Sequence, residues 1–230
     1  MMLKICTAWV AAVFLAGILS SAAESRYEYY RPLYENPESR RSGRVHDIIG
    51  IHQIENELIG IVEGRREYSV VLDRDERIVW RGSKGEVGAV LTENRALALT
   101  RVSRGWVELE LRSRESGRQE SITPFISDYL VMMVTGRRII GFDSRDGRWV
   151  QKSVPLHDRI IDSHINSYVA AVITNKRVFA WAWGRSDFRG KKLRRDETIQ
   201  YVDTQPHTVT IGTDRRVLVF KSGGGGWREF

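Results

Sequence analysis

The chain has 230 residues, of which 42% are hydrophobic and 10% aromatic, and its formal net charge is +7. This apolar content is enough for a folded core and, with only five prolines, excludes a disordered chain. Cys6 is the one cysteine. Because it lies in the N-terminal segment, the remainder of the chain has no disulfide, thiol catalyst or cysteine-based metal site.

Residues 1–23 are predicted to form a cleavable signal peptide. Lys4 precedes an almost wholly apolar run over residues 5–19, and Ser21, Ala22 and Ala23 provide the small residues of a cleavage site. Cys6 lies near the start of that run, whereas a lipoprotein signal has its cysteine at the cleavage point. We therefore expect a bacterial periplasmic or secreted protein. An uncleaved membrane anchor is the alternative.

Five segments of the chain resemble one another at a nearly fixed period. Their turn positions are 38, 43, 39 and 39 residues apart: Glu55, Glu93, Gly136, Asn175 and Asp214. An aromatic residue follows each turn at the same spacings: Tyr68, Trp106, Trp149, Phe188 and Trp227. Two markers that share one period indicate a repeat architecture.

Each repeat is predicted to contain four strands, A to D. Strand A is an apolar run, strand B follows the polar turn, strand C opens on the aromatic residue, and strand D is a short β-branched stretch. Units of about 40 residues with four strands are typical of β-propellers. The sequence therefore predicts an all-β fold in which residues 47–230 form a propeller of five four-stranded blades. An open β-sandwich is the alternative.

The last unit ends after strand C, so it lacks a strand D. We expect the tyrosine-rich residues 26–33 to supply that strand and close the ring, within an N-terminal segment of residues 24–46 that also contains a linker. Small residues recur in strand B, at Gly60, Ala98, Gly141 and Ala180. We attribute them to crowding of strands near the propeller axis.

Residues 131–149 resemble a quinoprotein-type (PQQ-like) propeller repeat. One strand ends in Thr135-Gly136, the next ends in Phe142-Asp143, and Asp146-Gly147 precedes Trp149. WD40-like propellers have the same rhythm. The quinone-dependent enzymes of this class typically have eight blades, a bound metal and acidic ligands, which this five-unit chain lacks. The resemblance therefore implies the fold but no quinone cofactor, and non-enzymatic relatives include scaffolds of outer-membrane assembly.

Candidate catalytic residues are few. None of the five histidines has the spacing of a metal motif. His52 aligns with core positions of strand A, and His207 aligns with Tyr129 and Tyr168. Three turn carboxylates lie at equivalent positions on one predicted face: Glu55, Glu93 and Asp214. A pair of carboxylates converging at the axis would indicate a carbohydrate-active enzyme.

Basic residues form two predicted clusters. The first recurs at the turn between strands A and B of the last three units: Arg137, Arg138, Lys176, Arg177, Arg215 and Arg216. The second follows strand C of the fourth unit: Arg185, Arg189, Lys191, Lys192, Arg194 and Arg195. Clustered positive charge attracts an anionic membrane surface, a glycan or an acidic protein. The alternative is an ordinary solvated rim.

We therefore expect an exported, non-enzymatic binding or scaffold module of the bacterial envelope that needs no cofactor. Its partner is expected to be another envelope protein or an anionic surface or glycan, and no nucleic acid. Two alternatives stay open. One is a carbohydrate-active enzyme with carboxylates in an axial channel, and the other is a membrane-tethered sensor domain, if residues 1–23 are not cleaved.

Overall fold

The structure is a computed structural model that describes residues 47–64, 67–112 and 122–230. These residues form nineteen strands and no helix, so the all-β prediction is confirmed. No described helix could cross a membrane. The predicted signal peptide, the segment 24–46 and the proposed closing strand lie outside the described residues.

The strands form five antiparallel sheets in chain order. Sheet I contains β1 (Ile49–Ile54), β2 (Glu57–Val62) and β3 (Glu67–Val71). Sheet II contains β4 (Ile78–Lys84), β5 (Val87–Thr92), β6 (Arg95–Thr100) and β7 (Val107–Glu110). Sheet III contains β8 (Thr123–Ile126), β9 (Leu130–Val134), β10 (Arg138–Asp143) and β11 (Trp149–Ser153).

Sheet IV contains β12 (Ile160–Ile165), β13 (Val169–Thr174), β14 (Arg177–Ala182) and β15 (Arg189–Lys192). Sheet V contains β16 (Ile199–Gln205), β17 (Thr208–Thr213), β18 (Val217–Lys221) and β19 (Trp227–Glu229). Within each sheet the strands are hydrogen-bonded in chain order, as a meander. The expected four-stranded sheets are therefore present in sheets II to V.

The predicted grouping of strands into units was wrong by one strand. Predicted strand D pairs with strand A of the following unit, as β12 does with β13. A turn of only three residues joins these two strands, whereas six residues separate β11 from β12, so the nearer partner is the later strand. Consequently sheet V is complete, and sheet I has only three described strands.

The second and third strands of the middle sheets carry the core. Every residue of β5, β9, β10 and β13 is buried. Apolar clusters lie between consecutive sheets, and the one between sheets III and IV contains Met132, Phe179 and Trp181. Burial of both faces explains why these strands read as continuous apolar runs and do not alternate.

The small residues of strand B receive a different explanation from the one expected. A Cβ at Gly141 would lie 2.7 Å from Cζ3 of Trp181, and one at Gly60 would lie 2.9 Å from Cζ2 of Trp106. In both cases the contact is made by a tryptophan ring of the next sheet along the chain. Gly60 and Gly141 therefore make room for side chains, including a neighbouring tryptophan in each case, and not for a close approach of strands at an axis.

The repeated tryptophans connect consecutive sheets. Trp149 Nε1 donates to the Val107 carbonyl at 3.0 Å, and Trp227 Nε1 donates to the Arg189 carbonyl at 2.8 Å. Trp106 donates in the same way to the carbonyl of Tyr68, at 3.1 Å. At its three tryptophan positions, the aromatic marker seen in the sequence thus forms a hydrogen bond between consecutive sheets.

The outer faces of the first and last sheets are open. Ile54 of β1 is 60% exposed and Tyr201 of β16 is 50% exposed. Within residues 47–64, 67–112 and 122–230, no apolar cluster joins sheet V to sheet I. The described sheets therefore do not close into a ring, and the blade number and closure stay predictions.

Turns and connections lie at two opposite ends of the sheets because consecutive strands are antiparallel. We call the upper end the one that carries the connections between sheets and, in sheets II to V, the turns between second and third strands. The lower end carries the remaining turns of sheets II to V. This separation decides which basic residues come together.

Candidate functional site

A Thr–acid–Arg motif occupies the upper end of sheet II. Thr92 Oγ1 donates to Glu76 Oε1 at 2.5 Å. Arg95 binds the same carboxylate through Nε and Nη2, both at 2.9 Å. Its guanidinium also reaches Glu108 at 2.6 Å and the Val71 carbonyl of sheet I at 2.8 Å. Arg95 therefore connects the turn between β5 and β6 with the segment between sheets I and II and with sheet I itself.

Sheet V repeats the motif. Thr213 Oγ1 donates to Glu197 at 2.8 Å, and Arg216 Nε and Nη2 bind that carboxylate at 2.7 and 2.8 Å. The guanidinium also contacts Glu229 at 2.6 Å and the Lys192 carbonyl of sheet IV at 3.0 Å. Two sheets that are not adjacent have thus built the same network from the same residue types.

Sheet IV carries a shorter version. Arg177 pairs with Asp158 at 2.5 Å, and Thr174 Oγ1 donates to Asp158 at 3.3 Å. In sheets II and V the glutamate also accepts the N–H three residues earlier, from Asp73 or Arg194. The equivalent residue here is Pro155, which has no N–H. A glutamate at position 158 would therefore find no N–H to accept there, and the shorter aspartate is sufficient.

In sheet III, Arg138 is 3% exposed and donates from Nη1 to Gln151 at 2.8 Å. The position 16 residues before Thr135, where the other sheets have their acid, is Gln119 and lies outside the described residues.

These contacts fix the charge of the motif. Hydrogen bonding from Arg216 lowers the pKa of Glu197 to about 2, against the opposing effect of burial. Burial alone would raise the pKa of Glu76, but hydrogen bonds from Arg95 and Thr92 lower it below its ordinary value. Both carboxylates are therefore ionised at neutral pH, and each neutralises the arginine beside it.

The first predicted basic cluster is divided by this arrangement. Arg138, Arg177 and Arg216 point inward to structural partners. Their sequence neighbours Arg137, Lys176 and Arg215 are exposed at the upper end of sheets III, IV and V. Adjacent residues leave a strand on opposite sides, so only the first residue of each pair is available to a partner.

Acidic side chains neutralise the exposed cations at the upper end only in part. Arg137 Nη1 donates to the carbonyls of Pro155 and Leu156, at 3.3 and 2.5 Å, which leaves its charge unneutralised. Arg215 lies 4.0 Å from Asp214. Arg159 is a further exposed cation here that the sequence interpretation missed, because it stands alone between repeats.

The second predicted cluster does not stay together. Arg185 lies at the lower end, where Nη1 donates to the Gly224 carbonyl at 2.5 Å. Arg189 pairs with the half-buried Asp187 at 3.2 Å. Lys192 is exposed, and Arg195 lies 3.8 Å from Asp196.

Glu229 joins residues of both predicted clusters. Lys191 contacts its carboxylate, Arg194 lies 3.6 Å away, and Arg216 lies 2.6 Å away. Hydrogen bonds from Lys191 and Arg216 lower the pKa of Glu229. Because Glu197 already neutralises Arg216, the two cations Lys191 and Arg194 share the single charge of Glu229, which leaves this corner of sheets IV and V positive.

The lower end carries an aromatic stack. The rings of Tyr129 and Tyr168 lie 4.5 Å apart, and His207 stacks on Tyr168 at 4.2 Å. His207 is exposed and shares a hydrogen bond of 3.1 Å with Ser222. Hydrogen bonding to the Tyr168 side chain, together with burial, raises the pKa of Tyr129. The alignment of these three residues in the sequence was the signal for this stack.

His52 is exposed, although its alignment predicted a core position. It lies on the outer face of sheet I, against which no described sheet packs. The acidic turn residues Glu55, Glu93 and Asp214 lie on three different sheets. Asp214 accepts the Thr198 N–H at 2.9 Å, which assigns it a structural contact. The described residues contain no group of three or more His, Cys, Asp or Glu suited to a metal.

Solved β-propellers are similar to this chain. The WD40 domain of SCAP from fission yeast matches over 83% of this chain and 57% of that chain, with 13% identity and a TM-score of 0.34. The β-propeller domain of Cps50 (Swd1) from Myceliophteria thermophila matches over 80% and 70%, with 10% identity and a TM-score of 0.33. The N-terminal domain of Nup159 matches over 80% and 58%, with 9% identity and a TM-score of 0.33.

This chain therefore spans just over half the length of the SCAP and Nup159 chains. The likeness is one of fold alone. The sheets described above are defined by their own hydrogen bonds and do not depend on this likeness. No protein-family model matches the chain. No curated protein matches it either.

Proposed function

We propose that this chain is a non-enzymatic binding module of β-propeller architecture, and that the upper end of sheets III to V docks an anionic partner. The proposed ring has five blades and is closed by residues N-terminal to Asp47. The proposed location is the bacterial envelope, reached through cleavage of residues 1–23. A mature N-terminus at Glu24, read by N-terminal sequencing of exported protein, would support this location.

One observation carries the proposed function. In the described part of the chain, no salt bridge to an acidic side chain involves Arg137, Arg159, Lys176 or Lys192. The inner arginines of the turns in sheets IV and V, Arg177 and Arg216, are neutralised by Asp158 and Glu197. Outward cations without an acidic partner therefore occur on the consecutive sheets III and IV at the upper end, where a single anionic surface can contact them together.

Retention on immobilised heparin and on immobilised polyglutamate tests this proposal, with salt as the eluent. The variant Arg137→Ser/Lys176→Ser/Arg215→Ser should elute at clearly lower salt than the unmodified chain. The matched control is Arg101→Ser/Arg104→Ser/Lys221→Ser, which removes three exposed cations from the lower end. Both variants lose three charges, so a difference between them reports the position of the charge and not its amount.

Equal elution of the two variants on both resins would contradict docking through the upper end. It would mean that the net charge of +7 acts as a diffuse field. A normal melting curve for each variant is the control for folding.

A further inference from the structure

Leu156 is an apolar side chain at the upper end, in the connection between β11 and β12, and it is 71% exposed. Corresponding positions in the connections to sheets II and V are occupied by Arg74 and Arg195. Sheet IV thus presents leucine where those two sheets present arginine. We call residues 154–159 the Leu156 loop.

The Leu156 loop is held at its base. Val154 is 4% exposed, and its N–H donates to the Arg137 carbonyl at 2.8 Å. Arg137 in return donates to the carbonyls of Pro155 and Leu156. Asp158 closes the turn by donating its N–H to the Pro155 carbonyl at 2.9 Å. Backbone and carboxylate contacts therefore fix the loop while its apolar tip remains in solvent.

Exposed cations lie on the Leu156 loop and on the turn beside it. Arg137 touches the loop itself, Arg159 ends it, and Lys176 lies on the adjoining turn of the same sheet; all three are exposed. The Asp158 carboxylate is buried and paired with Arg177, so it does not offset them at the surface. The result is one projecting apolar side chain in a positively charged setting.

We propose that the Leu156 loop inserts into an anionic lipid surface. The proposal rests on the proposed function and names the partner's chemistry. A bilayer with anionic headgroups offers negative charge at its surface and an apolar layer directly beneath, which matches a projecting leucine with cations around it. The tip protrudes and is not recessed in a groove, so a flat surface suits it better than a peptide does.

A fluorophore at the tip tests the insertion. In the full chain with Cys6→Ser, Leu156→Cys is labelled with an environment-sensitive dye and mixed with vesicles of phosphatidylglycerol and phosphatidylcholine. The emission should shift to the blue on these vesicles and not on phosphatidylcholine alone. The control is the same dye at Val102→Cys, because Val102 is 52% exposed at the lower end. That probe should stay unshifted.

Two variants distinguish the contribution of charge to vesicle binding from that of the apolar contact. Arg159→Ser/Lys176→Ser keeps Arg137 and its hold on the loop, and should weaken vesicle binding by roughly tenfold or more. Leu156→Ser should weaken it by about tenfold without changing its salt dependence. The first variant is followed by the emission of the dye at position 156, and the second by the emission of a dye at His157→Cys, an exposed position of the same loop.

An unshifted probe at position 156 on anionic vesicles, or equal shifts at positions 156 and 102, would overturn the lipid proposal. If the probe stays silent while the upper-end charge variant still loses retention on heparin or polyglutamate, the partner is an anionic macromolecule and the proposed function stands. If that variant also behaves like its lower-end control, the proposed function fails as well.

Discussion

Arg216 grips the Glu197 carboxylate with two nitrogens, Nε at 2.7 Å from Oε1 and Nη2 at 2.8 Å from Oε2. The side chain of Glu197 is fully buried and that of Arg216 is 7% exposed. A paired arrangement of this kind contributes modestly by itself, but removing one partner leaves a buried charge without compensation.

Arg216→Met should therefore destabilise the fold strongly, by about 3–5 kcal/mol in the free energy of unfolding. Urea denaturation followed by tryptophan fluorescence measures this. Arg215→Met is the matched control, since its exposed side chain should change stability by no more than about 0.5 kcal/mol. Equal effects of the two variants would show that the buried pair is not a structural element.

Acid should weaken the fold through Glu197. The pKa of Glu197 in the folded chain is about 2, below its ordinary value of 4.5, so the unfolded chain takes up the proton first. The stabilisation is fully present above about pH 4.5 and is lost as the pH falls toward 2. Unfolding free energies measured between pH 6 and pH 2 should show a shallower acid decline for Glu197→Gln. Parallel pH curves for the two proteins would count against this linkage.

Asp143 behaves in the opposite sense. Burial raises its pKa, although Oδ1 accepts the N–H groups of Arg145 and Asp146, and Oδ2 has no hydrogen-bond partner among the described residues. Its ionised form is disfavoured in the fold, so stability falls as the pH rises through and above the ordinary value. Asp143→Asn keeps an acceptor oxygen and removes the charge.

Asp143→Asn should therefore unfold at a higher urea concentration than the unmodified chain at pH 7, and the difference should shrink near pH 3. Thr100 occupies the equivalent position in sheet II and accepts the N–H groups of Val102 and Ser103 without a charge. A loss of stability in the variant at pH 7 would mean that the carboxylate is needed in its ionised form.

Gly141 should not tolerate a side chain, because a Cβ there would lie 2.7 Å from the fully buried ring of Trp181. Gly141→Ala is expected to reduce stability by about 1–3 kcal/mol through overpacking between sheets III and IV. Gly223→Ala is the control, since a Cβ at that turn meets nothing within 4 Å. When both variants are melted thermally, only Gly141→Ala should show a lower transition temperature than the unmodified chain.

Much of the architecture could be read from the order of residues. The turn spacing and the aromatic marker predicted strands in the right places, because turns and apolar runs are local properties of the chain. Grouping these strands into sheets failed by one position. A short strand such as β12 has no local preference between the sheet before it and the sheet after it, and the shorter turn decides.

The roles of the arginines depended on the fold. Arg137 and Arg138 are neighbours of the same type, yet one is exposed and the other is 3% exposed, because successive residues at the start of a strand face opposite sides. The Thr–acid–Arg spacing was present in the sequence three times, with the acid 16 residues before the threonine. The acid and the arginine of this motif form an internal ion pair only when the connection between sheets folds back over the turn. The exposed charge, and with it the candidate surface, is what remains after those pairs have formed.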